Sequence, residues 1–371
     1  MLSFAAQFSG VLVAGTDNNR MIQNPVTDDA IRAALDSVLT SSELPALGGA
    51  IVTSKGLVGI AAVGTRKRGV DAPVTTADEW HLGSDTKAMT AVIAAKMVEQ
   101  KKLNWNSTLG AIFPALAGES PSDFASITLL QLLSHHSGLP ENINWHQSIF
   151  TGPLIEQRRR VVEQASKVKL LSTPGSQFQY SNLGYVIVGA IEEQVTGRPW
   201  EDLVTEIIFK PLGMSSAGFG GTGTPGKLDQ PWGHTADGKP VATNGSMTDN
   251  PPVMGPAGRV HCSLRDWGKF IADQLGGELG EPALLTQESY KKLHEPPYGG
   301  DYALGWLVAQ RPWGGGTVYT HAGSNTMNYA VAWVAPKRDF AVLVTSNQGG
   351  PAAVKGCDEA AAALIRLLLK K

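Results

Sequence analysis

The sequence is poor in cysteine and nearly neutral in net charge. Its 371 residues include two cysteines, Cys262 and Cys357, which form no C-x-x-C pair, so neither a disulfide scaffold nor a zinc site is indicated and both are expected to be buried thiols. The formal net charge of −2 gives no electrostatic reason to bind nucleic acid or an anionic membrane. The basic run 158–160 is therefore interpreted as the solvated face of a helix.

Long apolar runs are also missing, so no transmembrane segment is predicted. The C-terminal run 360–369 is interrupted by Arg366 and is expected to form a core-packing helix. Residues 1–20 lack the basic start and the unbroken apolar run of a signal peptide, which favours a cytoplasmic protein over a periplasmic or secreted one. The absence of G-x-S-x-G argues against the nucleophile elbow of α/β-hydrolases.

The stretch after His81 combines a nucleophile with a base. Ser84-Asp85-Thr86-Lys87 opens a segment without Gly or Pro, which predicts a helix beginning beside Ser84. Because residues three apart share one helix face, the Lys87 amine can lie beside the Ser84 hydroxyl. Backbone N–H groups and the positive end of the helix dipole at such a start suit the stabilisation of an oxyanion.

Spacing alone does not single out this serine. Ser-x-x-Lys occurs three times, and the other pairs are Ser166/Lys169 and Ser289/Lys292. Both lie in polar stretches that are expected to face water, where a lysine stays protonated and cannot activate a hydroxyl. Only Ser84 opens a long apolar helix.

Two further pairs of residues are candidates for the same site. Tyr180 and Asn182 precede a predicted helix and could both point into a cleft, although for this pair alone a packed tyrosine with Asn182 as the helix N-cap is the preferred explanation. His321 and Gly323 follow a strand, and a glycine there would let a substrate backbone approach while the next N–H donates to an anion. A plain hairpin turn with an incidental histidine is the alternative.

Taken together, the motifs are far more specific than any one of them. They occur in a fixed order: Ser84-x-x-Lys87, Tyr180-x-Asn182 and His321-x-Gly323. This order resembles the penicillin-recognising serine hydrolases, which include class C β-lactamases, D-alanyl-D-alanine carboxypeptidases of the same fold and family VIII carboxylesterases. Residues 129–139 look like the family's L-L-x-H-x-S-G-L segment, and residues 184–214 look like its helix with the "PLGM" ending. The resemblance covers roughly residues 28 to 370.

The resemblance implies a role for each matched residue. Ser84 would be the nucleophile of an acyl-enzyme, and Lys87 and Tyr180 would share the proton transfers, with Lys87 biasing Tyr180 toward the phenolate. Asn182 would hold Lys87 and the acyl side chain. The backbone N–H groups of Ser84 and Ser324 would form the oxyanion hole. No metal or organic cofactor is implied.

The third motif departs from the class C pattern. Class C β-lactamases carry Lys-Thr-Gly where this chain has His321-Ala322-Gly323. A largely neutral imidazole and a methyl group offer less to a substrate carboxylate, which favours a carboxylesterase for short acyl chains. A β-lactamase or a D-stereospecific peptidase or amidase is the alternative, and a non-catalytic penicillin-binding protein comes from a different functional class. The expected partner is a small ester or a β-lactam, and the oligomeric state cannot be read from the sequence.

Apolar patterning predicts an antiparallel sheet flanked by N- and C-terminal helices with an inserted α-rich lobe, and the resemblance implies that this is an α+β fold of the β-lactamase/transpeptidase type. Strands are expected at 48–53, 57–64, 302–310, 317–320, 329–334 and 340–345. Helices are expected at 28–40, 86–101, 128–133, 154–168, 183–196, 200–208, 264–275, 286–293 and from 351. The predicted domains are 21–83 with 264–371, which contain the sheet, and 84–263, mainly helical with long loops at 213–258, preceded by an extension at 1–20.

Overall fold

The computed structural model describes residues 26–114, 122–145, 150–243, 248–281 and 284–369. The predicted extension 1–20 lies outside these residues. The strands are β1 Ala46–Thr53, β2 Gly56–Gly64, β3 Glu79–His81, β4 Gly218–Phe219, β5 Val260–Ser263, β6 Leu307–Arg311, β7 Gly316–Ser324, β8 Tyr329–Ala335 and β9 Phe340–Ser346.

The described helices range from three to 19 residues in length. They are α1 Asp28–Ser42, α2 Thr86–Glu99, α3 Leu109–Ile112, α4 Ser122–Ser126, α5 Leu129–Leu133, α6 Leu154–Ala165, α7 Asn182–Thr196, α8 Trp200–Val204, α9 Lys210–Leu212, α10 Gly255–Gly258, α11 Leu264–Glu278, α12 Gln287–His294 and α13 Pro351–Leu369. A π-helical turn, Thr205–Phe209, joins α8 to α9.

The main sheet is built from both ends of the chain, as predicted. Its strand order is β2-β1-β9-β8-β7-β6, and every neighbouring pair is antiparallel. The central pairing places Ile51 opposite Val342, so the N-terminal hairpin is fixed against a C-terminal strand. A second sheet, β3-β5-β4, was not predicted. Its β3 leads directly into the Ser84 turn.

Successive side chains on a strand point to opposite sides, and helices cover both faces of the main sheet. One face packs on α1 and α13, where Leu35 and Leu364 contact the layer that contains Leu47. The other face, which includes Ala50, packs on α11 and on the helical body. The C-terminal run is thus a core-packing helix, and Cys262 and Cys357 are buried free thiols, as predicted. Among the described residues, no helix combines the length and apolar character that a membrane span requires.

Three local predictions were wrong. The strand expected from residue 302 begins at Leu307, because Gly305 adopts a φ of +87° and the chain turns there before pairing. The segment 213–258 contains β4, α10 and a 3-10 turn, Pro252–Met254, rather than loops alone. Ser166 is buried at the end of α6, where its hydroxyl donates to the carbonyl of Glu163.

The interpretation of the run 158–160 as a solvated face was wrong for Arg158. Its side chain is fully buried in α6, and its guanidinium donates to Glu193 at 2.5 Å and to Glu201 at 2.5 Å. It also donates to the carbonyl of Val253, just before α10. A buried guanidinium needs such partners because an unpaired charge in the interior is very costly. Arg158 therefore ties α6, α7 and α8 to the segment that carries α10.

The neighbouring arginines permit a matched test of this ion-pair cluster. Arg158→Ala removes the cation from the buried Glu193 and the partly buried Glu201 and is expected to lower the free energy of unfolding by about 3–5 kcal/mol. Arg159 is about half exposed and pairs with Glu156 and Glu163 on the surface, so Arg159→Ala should cost roughly 0–1 kcal/mol. Urea unfolding of both variants measures the difference. Equal losses would contradict a stabilising role for the buried cluster.

Candidate active site

The candidate nucleophile lies in a tight turn between β3 and α2. Ser84 belongs to a 3-10 turn, Gly83–Asp85, and α2 itself begins at Thr86, two residues later than the nucleophile. Gly83 has a φ of +52°, a conformation that favours glycine. A Cβ atom on Gly83 would lie 2.3 Å from the backbone nitrogen of Ser324 in β7. The turn can therefore pack this closely only because residue 83 has no side chain.

Gly323 on β7 makes the reciprocal contact. A Cβ atom there would lie 1.9 Å from the carbonyl oxygen of Leu82 and 2.5 Å from the backbone nitrogen of Ser84. The sequence analysis expected this glycine to admit a substrate backbone, whereas the structure shows that it admits the nucleophile turn. The contact brings the backbone nitrogens of Ser84 and Ser324, the predicted oxyanion-hole donors, to one junction between the turn and the strand.

The first two motifs meet at the Ser84 hydroxyl. Lys87 Nζ lies 3.0 Å from Ser84 Oγ, and Tyr180 donates its hydroxyl proton to the same oxygen at 2.9 Å. Lys87 also donates to Asn182 Oδ1 at 2.8 Å and to the carbonyl of Ala257 at 2.6 Å. The two motifs are about 95 residues apart in the sequence, yet their four predicted side chains form one hydrogen-bonded group.

Helix capping explains why Asn182 is available to Lys87. The hydroxyl of Ser181 accepts from the backbone N–H of Gly184 and caps α7, so the alternative in which Asn182 is the cap was wrong. Asn182 is the first residue of α7 and directs its carbonyl oxygen at Lys87. Its amide nitrogen donates to Asn142 Oδ1 at 3.1 Å, which fixes the orientation of the amide.

Burial controls the protonation of Lys87. The side chain is fully buried, and desolvation lowers the pKa of Lys87 to about 7; a negative charge on Asp85 or Glu141 opposes this shift only to the extent that the carboxyl is ionised. A large fraction of this amine is consequently neutral near pH 7 and can accept a proton.

Tyr180 does not behave as the resemblance implied. Burial raises the pKa of Tyr180, and its hydrogen bond to Ser84 only partly opposes that shift, so the residue rests as a neutral phenol. The expectation that Lys87 biases Tyr180 toward the phenolate was therefore wrong. The physical reason is that the low-polarity surroundings that neutralise the amine also disfavour a phenolate.

His321 is buried behind the nucleophile turn, with 4% of its surface exposed. Its Nε2 lies 3.1 Å from the hydroxyl of Tyr302, and its Nδ1 lies 3.8 Å from Asp85 Oδ1. Burial, reinforced by the charge of Lys87, lowers the pKa of His321 to about 3, so the imidazole is neutral. The third motif thus reaches Ser84 through its neighbour Asp85 and through the backbone contact at Gly323.

A second network, which the sequence analysis missed, supports the same turn. His81 Nδ1 accepts from the backbone N–H of Gly83 at 3.0 Å, while His81 Nε2 lies 2.8 Å from Asp249 Oδ1. Asn325, next to Ser324, donates to Asp249 at 3.0 Å. Although burial opposes ionisation, the charges of His81 and Arg259 lower the pKa of Asp249 to about 2. This carboxylate therefore links the nucleophile turn to the end of β7.

Comparison with known proteins agrees with this geometry. The family model described as Beta-lactamase matches residues 5–366, and the chain belongs to that family, whose members are serine hydrolases. Within the described part of the chain, no group of His, Cys, Asp or Glu side chains is arranged to hold a metal ion.

Individual relatives are distant. Protein flp of Staphylococcus aureus (strain NCTC 8325 / PS 47) is 25% identical over 274 residues, which is 72% of this chain and 53% of that protein. The chain thus spans about half the length of such curated relatives. A class C beta-lactamase from Rhodobacter sphaeroides superposes with a TM-score of 0.73 at 21% identity, covering 92% of this chain and 100% of that one. The octameric penicillin-binding protein homologue from Pyrococcus abyssi gives 0.72 at 20% identity, covering 91% and 77%.

The glycine contact beneath Ser84 can be tested directly. Gly323→Ala forces a methyl group against the backbone of the nucleophile turn and should lower the free energy of unfolding by about 1–3 kcal/mol. Gly221→Ala is the matched control, because a Cβ atom there meets its nearest neighbour at 3.8 Å. Denaturant unfolding of both variants measures the difference. A Gly323→Ala protein as stable as the control would show that the two backbones can separate freely.

Proposed function

We propose that this protein is a serine carboxylesterase that hydrolyses esters of short acyl chains through an acyl-enzyme. The observation that carries the proposal is the convergence of Lys87 Nζ and the Tyr180 hydroxyl on Ser84 Oγ, at 3.0 and 2.9 Å. A hydroxyl between a neutral amine and a phenol can lose its proton as it attacks a carbonyl carbon.

In the acylation step, Lys87 acts as the base. Its neutral amine takes the proton of Ser84 while Oγ bonds to the ester carbonyl carbon, and the carbonyl oxygen becomes an oxyanion. The backbone N–H groups of Ser84 and Ser324 stabilise that charge, and losing one such donor costs about 3–4 kcal/mol of barrier. The neutral Tyr180 then donates its proton to the departing alkoxide and is reprotonated from Lys87, which releases the alcohol.

Deacylation uses the same groups with water as the nucleophile. Lys87, again neutral, receives a proton from water through Tyr180, and the resulting hydroxide equivalent attacks the acyl carbonyl. Collapse of the second tetrahedral intermediate returns the proton to Ser84 Oγ and releases the carboxylic acid. Neither step requires a metal or an organic cofactor.

The third motif supports an ester in preference to an anionic β-lactam. The buried, neutral His321 contributes no positive charge for a substrate carboxylate, and Ala322 contributes no hydroxyl. The second candidate is a β-lactamase or a D-stereospecific peptidase or amidase. It is supported by the likeness to proteins described as a class C beta-lactamase and, with a TM-score of 0.71 at 18% identity, a D-alanine carboxypeptidase.

The proposal is tested with p-nitrophenyl esters, nitrocefin and D-amino acid amides. We expect kcat/KM for p-nitrophenyl butyrate to exceed that for nitrocefin, and Ser84→Ala to lower it on the order of 10³-fold or more. Ser289→Ala is the control, because Ser289 belongs to another Ser-x-x-Lys pair but binds Glu99.

Two outcomes would contradict the proposal. Comparable kcat/KM values for nitrocefin and the butyrate ester would favour the β-lactamase alternative. Ester hydrolysis that survives Ser84→Ala, or falls equally in Ser289→Ala, would remove Ser84 from the mechanism. A protein that forms a stable adduct with a penicillin on Ser84, seen by intact mass, but hydrolyses no substrate would be a non-catalytic binder.

The pH dependence of hydrolysis follows from Lys87. Because the neutral amine is the active form, kcat/KM should rise with pH and reach half of its plateau near the lysine pKa of about 7. No decrease from Tyr180 is expected below its ordinary pKa of about 10, since burial raises the pKa of that phenol. Titration of released acid across the neutral range measures the profile. A profile that is flat there would contradict Lys87 as the base.

A further inference from the structure

Two buried polar side chains face each other behind the nucleophile. Asp85 directly follows Ser84, and neither of its carboxyl oxygens has a hydrogen-bond partner among the described residues. The same holds for Nδ1 of His321, which lies 3.8 Å from Asp85 Oδ1. Both side chains are 3% exposed, so bulk water does not reach either of them. The distance exceeds that of a hydrogen bond, so a direct bond requires the two side chains to approach more closely.

The hydroxyl groups on the Nε2 side of the His321 imidazole bear on which ring nitrogen carries the proton. Tyr185 donates to the carbonyl of Leu133 at 2.6 Å, and a carbonyl can only accept. The oxygen of Tyr185 is then free of its own proton on the side of Tyr302 and can accept from it. If Tyr302 donates there, its own oxygen accepts from Nε2–H of His321, which lies 3.1 Å away.

This direction determines the form of the histidine. A neutral imidazole that is protonated at Nε2 carries a lone pair at Nδ1 and needs a donor there. Asp85 is the side chain that faces this lone pair, and it can donate only as a protonated acid. A buried carboxyl in this position can remain protonated, as other buried carboxylic acids do.

We propose that Asp85 is a positioning residue, a neutral carboxylic acid whose O–H donates to Nδ1 of His321 and ties the Ser84 turn to β7. The proposal rests on the proposed function for its effect on hydrolysis, but not for the hydrogen bond itself. The tie spans the two segments whose backbone N–H groups, at Ser84 and Ser324, would hold the oxyanion. The hydrogen bond therefore helps to set the distance between these two N–H groups, which the close backbone contact at Gly83 and Gly323 also restricts.

The surrounding charges are consistent with this neutral pair. Burial raises the pKa of Asp85 well above its usual value, and Lys87 on α2 opposes that shift only in part. Burial also lowers the pKa of His321 to about 3, and the charge of Lys87 acts in the same direction. From the helical side, His135 faces the same cluster, with its ring centroid 4.6 Å from that of Tyr302 in a tilted arrangement, and burial lowers the pKa of His135 as well.

The hydrogen bond is tested by nitrogen NMR of protein labelled in its histidines, with His321 assigned through His321→Gln. We expect Nε2 to be protonated and Nδ1 to be an unprotonated, hydrogen-bonded nitrogen, in both the wild type and Ser84→Ala. Asp85→Asn should keep this pattern because an amide N–H replaces the acid O–H, whereas Asp85→Leu should shift Nδ1 to the position of an unbonded lone pair. Protonated Nδ1 in the wild type, or an unchanged Nδ1 in Asp85→Leu, would overturn the proposal.

Kinetics then separate positioning from mere stability. Asp85→Leu should lower kcat for the butyrate ester on the order of 10- to 100-fold with little change in KM, as expected when reacting groups are slightly misplaced. Asp85→Asn should recover most of that loss. Asp273→Asn is the control, because Asp273 is another buried carboxyl, held by Tyr290, and should alter neither kcat nor the His321 nitrogens.

The outcomes remain distinguishable from failure of the esterase proposal. If the protein hydrolyses no ester, the NMR of the wild type still decides the state of the Asp85–His321 pair. If Asp85→Leu does not fold, the wild-type nitrogen shifts and the Asp85→Asn variant carry the test. Equal kcat values for folded Asp85→Leu and wild type would overturn the positioning role even if the hydrogen bond exists.

Discussion

The site depends on the contact between the backbone of the Ser84 turn and the backbone of β7. Gly83 and Gly323 face each other so closely that neither could carry a Cβ atom without displacing the opposite chain. This contact joins the turn that carries the proposed nucleophile to the strand that carries the second proposed N–H donor, and the sheet that contains β7 is itself formed by pairing between N-terminal and C-terminal strands. The geometry at Ser84 is thus set by main-chain packing, which tolerates little adjustment.

The same burial that fixes the geometry also sets the electrostatics. Excluding water from Lys87 lowers the pKa of its amine, and excluding water from Tyr180 raises the pKa of its phenol. A lysine that would be ammonium in water is therefore largely available as a neutral amine near pH 7, while the tyrosine stays a neutral phenol, so one hydroxyl contacts a potential base and a potential proton donor. Arg158 contributes indirectly to the position of Lys87. It donates to the carbonyl of Val253, just before α10, and the carbonyl of Ala257 in α10 accepts from Lys87.

The three motifs and most of the sheet could be predicted because their signals are local. A helix start with Ser and Lys three residues apart, or alternating apolar strands near the C-terminus, can be recognised within one short window. The contacts of Arg158, His81 and Tyr302 could not be predicted from the sequence, since each depends on a partner that only the fold brings near. Asp249 in particular lies in a Gly- and Pro-rich stretch with no periodicity, and nothing in that stretch marks it as the partner of a histidine far earlier in the chain.

A neutral third motif and a low-pKa lysine are physically connected. A permanent cation at position 321 would lower the pKa of Lys87 further by repulsion and would call for an ionised Asp85 as its counterion. With histidine there, the imidazole is neutral, and residue 321 adds no positive charge beside Lys87. The identity of residue 321 therefore influences both the proton affinity of the base and the charge that a substrate meets. The proposed selectivity for neutral esters and the proposed activation of Ser84 near neutral pH would both depend on this uncharged side chain.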